Sequence, residues 1–309
     1  MRVGYPCINR SVGCRGNKTF RLSSYSEEKL IETASNNLEC LETMLRFNIN
    51  NDLLFFRISS DIVPFASHPV CELDWTQHFE SKLQSLGKTI AEYSFRISMH
   101  PDQFVLINSP RNDVLKNSIS ELYYHCRLMD AMGLDNTAKM QIHVGGVYGD
   151  KPAAIERFIQ RYNDLDEVIK RRLVIENDDR LYDLRDCVQI HGLTGIPVLF
   201  DVYHHELLNN GESVPDALRI AESTWSDDDG KLMVDYSSPH PSGRRGKHAD
   251  EVDLSHFGGF IQQSEDIEFD LMLEIKDKEK SAIKVIESLE GDKRLESVFA
   301  KSEARESKK

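Results

Sequence analysis

The sequence predicts an α/β fold, a single (β/α)8 TIM barrel, on three observations. Eight short runs rich in Val, Ile, Leu and Phe recur along 309 residues, amphipathic segments separate them, and no linker or second pattern interrupts the series. The runs fall at residues 2–6, 53–60, 95–100, 139–145, 172–177, 197–204, 231–237 and 269–276. They are apolar or mixed, as strands covered on both faces are. Their starts lie 25 to 51 residues apart, room for a crossover helix each time.

The first intervening segment, SEEKLIETASNNLECLETMLRF, places Leu30, Ile31, Ala34, Leu38, Leu41 and Leu45 on one face at the helical period. Ser26 stands where an N-cap belongs, with Glu27 and Glu28 in the first turn. Residues 76–92, 112–132, 152–170, 181–192, 215–223 and 278–289 read the same way, and Pro152 and Pro215 suit a first helical turn. The stretch 238–264 is loop-rich through Gly246, with at most a short helix near 251–263. The barrel is expected over residues 1–290, and the highly charged residues 291–309 are expected as a frayed tail.

With 40% hydrophobic and 29% charged residues the chain is globular rather than disordered. No apolar run reaches the ~18–20 residues that span a bilayer, and MRVGYPCINR has no signal-peptide core, so a cytoplasmic protein without membrane contact is expected. No obligate protein partner is evident. Six scattered cysteines with no C-x-x-C argue against a thiolate zinc site and read as free thiols. Cys7 and Cys14 share one loop, which leaves room for a bond there. The net charge of −13 counts against nucleic acid as a partner, but it is unevenly spread. Residues 1–26 hold no Asp or Glu but do hold Arg2, Arg10, Arg15, Lys18 and Arg21, and a second basic knot is Arg244, Arg245 and Lys247. A local patch binds anions whatever the total.

In such a barrel, chemistry belongs at the C-terminal ends of the strands. Those ends carry His100, His143, Glu176, Asp201, His204, Asp235 and Glu274. The loops after strands two and seven add His68 and His248. Taken singly each has a bland reading, because a strand histidine is usually a hydrogen-bonded core residue and a strand-end Asp is often a helix cap. Together, four carboxylates cannot share one mouth without cations or protons. Imidazoles beside them make divalent metals the economical resolution, two or three ions with Glu176 bridging. Such ions suit phosphoryl transfer without a protein nucleophile, and there is no G-x-S-x-G, P-loop or G-x-G-x-x-G. The basic loops after strands one and seven lie on the same face and suit a phosphate-backbone substrate.

GYPCINR, HPDQF, IHVGG, IEND, FDVYHH, KHAD and MLEIKDKE, in this order, resemble the UV damage endonucleases. The resemblance covers nearly the whole chain to about residue 290. It implies a metal-dependent barrel related to endonuclease IV and the xylose-isomerase-like barrels. The implied activity is nicking of damaged duplex DNA on the 5′ side of ultraviolet photoproducts, leaving a 3′-hydroxyl and a 5′-phosphate. It implies divalent cofactors, manganese foremost, with zinc, cobalt or magnesium as alternatives. By this resemblance His100, His143 and Glu176 hold one ion, Glu176, Asp201 and Glu274 a second, and His204 and His248 a third, with His68 a further site histidine. Gln103 and Phe104 wedge into the duplex, while Tyr5 and Asn9 probe the damaged dinucleotide. Lys276 is expected as a catalytic cation beside Glu176, and the basic loops as DNA contacts. Strand seven departs from the pattern: many members carry Lys-x-His, with a lysine that can be carboxylated, where this chain has Met233-Val234-Asp235. Met233 cannot be carboxylated, which places the third ion in question. A sugar isomerase or epimerase on the same barrel and a non-enzymatic damage-binding module are the rival expectations.

Overall fold

The computed structural model describes residues 1–298. Eight parallel strands close into a barrel in sequence order: β1 (Val3–Pro6), β2 (Phe55–Ile58), β3 (Arg96–Met99), β4 (Lys139–His143), β5 (Leu173–Glu176), β6 (Val198–Asp201), β7 (Leu232–Tyr236) and β8 (Phe269–Leu273). The surrounding helices are α1 (Glu27–Asn50), α2 (Trp75–His78), α3 (Glu80–Glu92), α4 (Asn112–Ala131), α5 (Lys151–Asn163), α6 (Glu167–Lys170), α7 (Leu184–Thr194), α8 (Val202–Leu207), α9 (Val214–Glu222), α10 (Leu254–Gln263) and α11 (Glu279–Ser288). The single (β/α)8 barrel is thus the fold. Ser26 caps α1 by accepting from the Lys29 amide. Among the described residues no helix is long and apolar enough to cross a membrane.

The strand period of two decides what the barrel encloses. Phe55, Val174, Leu199, Met233 and Met272 pack together as a fully buried layer inside the barrel. Two residues further along the same five strands, the same inward face carries Arg57, Glu176, Asp201, Asp235 and Glu274. The apolar layer is the floor of a polar mouth. The register sets His143 beside Glu176 and Asp201 beside Asp235.

Several expectations are corrected. The sixth strand ends at Asp201, not residue 204, because the Asp201 carboxylate accepts from the His204 amide at 2.7 Å and caps α8. The segment 152–170 breaks into α5 and α6 around Asp164, Leu165 and Asp166. Cys14 is bonded to Cys40, not to Cys7, because α1 carries Cys40 beneath the loop. The Asn37 side chain on the same helix grips the Lys18 backbone from both sides. Residues 291–298, expected as frayed, dock onto the bottom of the barrel. The Glu296 amide donates to the Met1 carbonyl at 2.9 Å, the Val298 amide to Asp52 at 2.8 Å, and Arg294 spans the Ser264 and Ile267 carbonyls. The rest of that tail lies outside the described residues.

Candidate metal centre and the cleft above it

The strand ends converge. Three groups of donor atoms each lie within 4.8 Å of one another: His100, His143 and Glu176; Glu176, Asp201 and His204; and Asp201, Asp235 and Glu274. Glu176 is shared by the first two and Asp201 by the last two. The imidazoles follow the rim as a chain, with ring centroids 5.4 Å apart for His100–His143, 6.1 Å for His143–His204 and 6.4 Å for His204–His248.

The chemistry of these donors fits divalent ions. Nδ1 of His100, His204 and His248 faces the carbonyls of Pro101, Asn177 and Glu274 at 2.8, 2.9 and 3.0 Å. A carbonyl only accepts, so each Nδ1 carries the proton and orients its ring, the usual support for an imidazole ligand. Burial, against the pull of Glu176, pushes His100 down to about 4, so its Nε2 keeps a lone pair at neutral pH. Three buried atoms facing this mouth have no hydrogen-bond partner: His143 Nδ1, Asp201 Oδ2 and Asp235 Oδ1. Orphaned carboxylate oxygens in a buried site call for a cation. Burial pushes Asp201 up to about 6 and raises Asp235 against the opposing pull of Arg57. Crowded anions thus resist ionising together. His204 is the counter-case: burial is outweighed by Asp201 and Glu176, which lift it to about 11. Its Nδ1 lies 3.2 Å from Glu176 Oε1 and 3.6 Å from Asp201 Oδ2.

Sequence reasoning missed the protein's own cation. Arg57, 3% exposed, reaches across the mouth to Asp235 Oδ2 at 2.7 Å and to Glu274. Burial raises Glu274, but Arg57 outweighs it and holds the group down at about 2. Gln141, fully buried on β4, was missed as well. Its Nε2 donates to Glu176 at 2.8 Å and Asp235 at 2.7 Å, and its Oε1 accepts from Arg57 at 2.7 Å. The signals were present: one charge inside FFRIS, and a glutamine two residues before His143 on the same face.

Above the centre opens a cleft of about 590 Å³. Arg57, Arg180, Arg244, Arg245, Lys247, Lys276 and Lys278 line it, against the acidic side chains Asp102 and Glu274. The 244–247 knot stands on a hairpin-like loop in which Pro239 pairs with His248 and the His240 amide donates to the Lys247 carbonyl. Gln103 forms part of the cleft wall above His100, and Phe104 beside it is 55% exposed.

Other expected residues stand elsewhere. Tyr5 and Asn9 are buried and bonded to each other at 2.8 Å, with Tyr5 donating to Asn48, so they brace the loop from within. Arg15 and Lys18 line a separate cleft against α1, and Arg10 is exposed on the same loop. His68 is exposed, packs edge-on to Phe65 and belongs to none of the three donor groups. Lys276 lines the cleft but is 47% exposed and pairs with Asp250 at 2.6 Å. Lys278 is the more enclosed cation, its ammonium pushed down by burial.

Fold and mouth together define a TIM-barrel protein whose clustered His and carboxylate donors could hold metal ions under a basic cleft. Residues 1–303 match the family described as UV-endonuclease UvdE. The chain is 37% identical to the UV DNA damage endonuclease of Clostridium perfringens, over 94% of this chain and 71% of that relative. The crystal structure of SacUVDE superposes with a TM-score of 0.90 at 44% identity, covering 94% of this chain and 98% of that one. The chain belongs to the UvdE family of UV endonucleases. Endonuclease IV from Thermus thermophilus shares the fold alone, with a TM-score of 0.53 at 13% identity over 80% of this chain and 90% of that one.

Proposed function

We propose that this chain is a metal-dependent endonuclease that hydrolyses the phosphodiester 5′ to ultraviolet photoproducts in duplex DNA, leaving a 3′-hydroxyl and a 5′-phosphate. It would act in the cytoplasm, at the nucleoid. The observation that carries this reading is the stacking of two features: donor groups on the floor of a cleft whose walls present six cations besides the buried Arg57. An uncharged sugar has no use for those walls; a polyphosphate backbone does.

His100, His143 and Glu176 would hold one divalent ion, and Asp201, Asp235, Glu274 and His204 with Glu176 would hold its neighbour. The bound ions, manganese foremost, would neutralise charge on the scissile phosphate and activate water for in-line attack. The chain's own side chains do the rest. Arg244, Arg245 and Lys247 take the backbone phosphates and set the register of the duplex. Gln103 and Phe104 enter the stack at the lesion, which costs less where a photoproduct has already disturbed it, so distortion rather than sequence selects the site. The ammonium of Lys278, close to Glu274, and that of Lys276 lie where developing oxyanion charge needs a cation.

The test is a duplex carrying one cyclobutane dimer, labelled on the damaged strand and incubated with protein and Mn²⁺. A nick immediately 5′ to the dimer that is lost with EDTA and absent from the undamaged duplex supports the reading. Intact duplex overturns it.

A further inference from the structure

We propose that the Arg57 guanidinium occupies one cation position of the mouth, so that the centre takes two divalent ions and not a third. This rests on the reading of the mouth as a metal centre. Arg57 is not a surface arginine free to swing aside. Its Nη2 meets Asp235 Oδ2 and Gln141 Oε1, both at 2.7 Å, and its Nη1 meets Glu274. Gln141 is locked in turn, because its Nε2 serves Glu176 and Asp235, which forces its Oε1 toward the arginine. The planar fork is therefore built into the wall.

Charge and donors agree. Glu176, Asp201, Asp235 and Glu274 carry four negative charges, while Arg57 and two divalent ions already carry five positive ones. A third ion would leave a large uncompensated charge beside carboxylates of which Glu176, Asp201 and Asp235 are buried. The remaining donor group, Glu176, Asp201 and His204, brings no carboxylate of its own, since Glu176 belongs to the first group and Asp201 to the last. Asp235 Oδ2 is committed to Arg57 and Gln141, and Met233, two residues earlier on the same face, lies in the apolar floor. Asp201 and Asp235, each with one orphaned oxygen, fall in one group with Glu274, enough for a second ion beside the one at His100, His143 and Glu176. His248 joins none of the three donor groups.

The experiment counts ions. Protein stripped with EDTA is titrated with Mn²⁺ in a calorimeter, then dialysed and analysed for metal content. Two equivalents per chain are expected; three, or fewer than two, overturn the proposal. Arg57→Gln is titrated alongside, with circular dichroism to check folding. The folded variant is expected to take a third equivalent, and a count that stays at two overturns Arg57 as the excluding group. If that variant fails to fold, the native count decides. Incision is measured separately: two ions without a nick leave this inference standing and remove the endonuclease reading, whereas three ions with a nick do the reverse.

Discussion

Replacing Gln141 by Leu keeps the volume and removes a neutral polar group that ties the mouth together. The wild-type side chain makes three buried bonds, all to charged partners: Glu176 at 2.8 Å, Asp235 at 2.7 Å and Arg57 at 2.7 Å. Such bonds contribute roughly 1.5–3 kcal/mol each. Leu recovers part of this by apolar burial, and broken buried charge networks cost about 3–5 kcal/mol, so urea unfolding in EDTA should show a loss of that size. A larger part of the effect concerns metal. Glu176 and Asp235 are expected ligands, and removing the group that orients a ligand lowers affinity about 10–100-fold. By linkage the stability gap should widen in saturating Mn²⁺ by roughly 1.4–2.8 kcal/mol per ion affected. The assay is therefore a pair of urea titrations, with EDTA and with Mn²⁺, plus calorimetry of Mn²⁺ binding. Native affinity in Gln141→Leu, or a stability loss under about 1 kcal/mol, would refute the view that this glutamine orients the centre.

Gln103→Ala with Phe104→Ala should abolish the preference for a dimer-containing duplex over an undamaged one while leaving bound metal unchanged; unaltered incision of the damaged duplex would sink the wedge assignment. Arg244→Ala and Lys247→Ala should each weaken binding of any duplex and flatten the plot of log affinity against log salt by about 1 for each phosphate that is no longer neutralised; an unchanged slope would remove that loop from the interface. Ending the chain at residue 290 deletes Arg294, whose guanidinium holds the Ser264 and Ile267 carbonyls and lies over the Phe269 ring. It should cost roughly 2–4 kcal/mol in urea unfolding, and native stability would show that the docked segment contributes nothing.

The barrel was legible because its signal is repetition: eight apolar runs spaced for crossover helices admit few other folds. The site was legible because strand ends in such a fold share one address, so His100, His143, Glu176, Asp201, Asp235 and Glu274 could be gathered without coordinates. What escaped depended on partners distant in sequence. Nothing local marks Cys14 for Cys40, or Glu296 for the Met1 carbonyl, until α1 and the first strand are in place. Tyr5 and Asn9 sit in a motif whose resemblance implies contact with the damaged dinucleotide, and their polar atoms are bonded to each other at 2.8 Å. Arg57 is the instructive case. Four carboxylates do need cations, but one of those cations belongs to the chain itself. Had the parity that places Glu176 and Glu274 inward been carried to the second strand, Phe55 would have fallen in the floor and Arg57 level with the acids. An arginine at that position has no solvent to face, and its charge counts among those of the mouth.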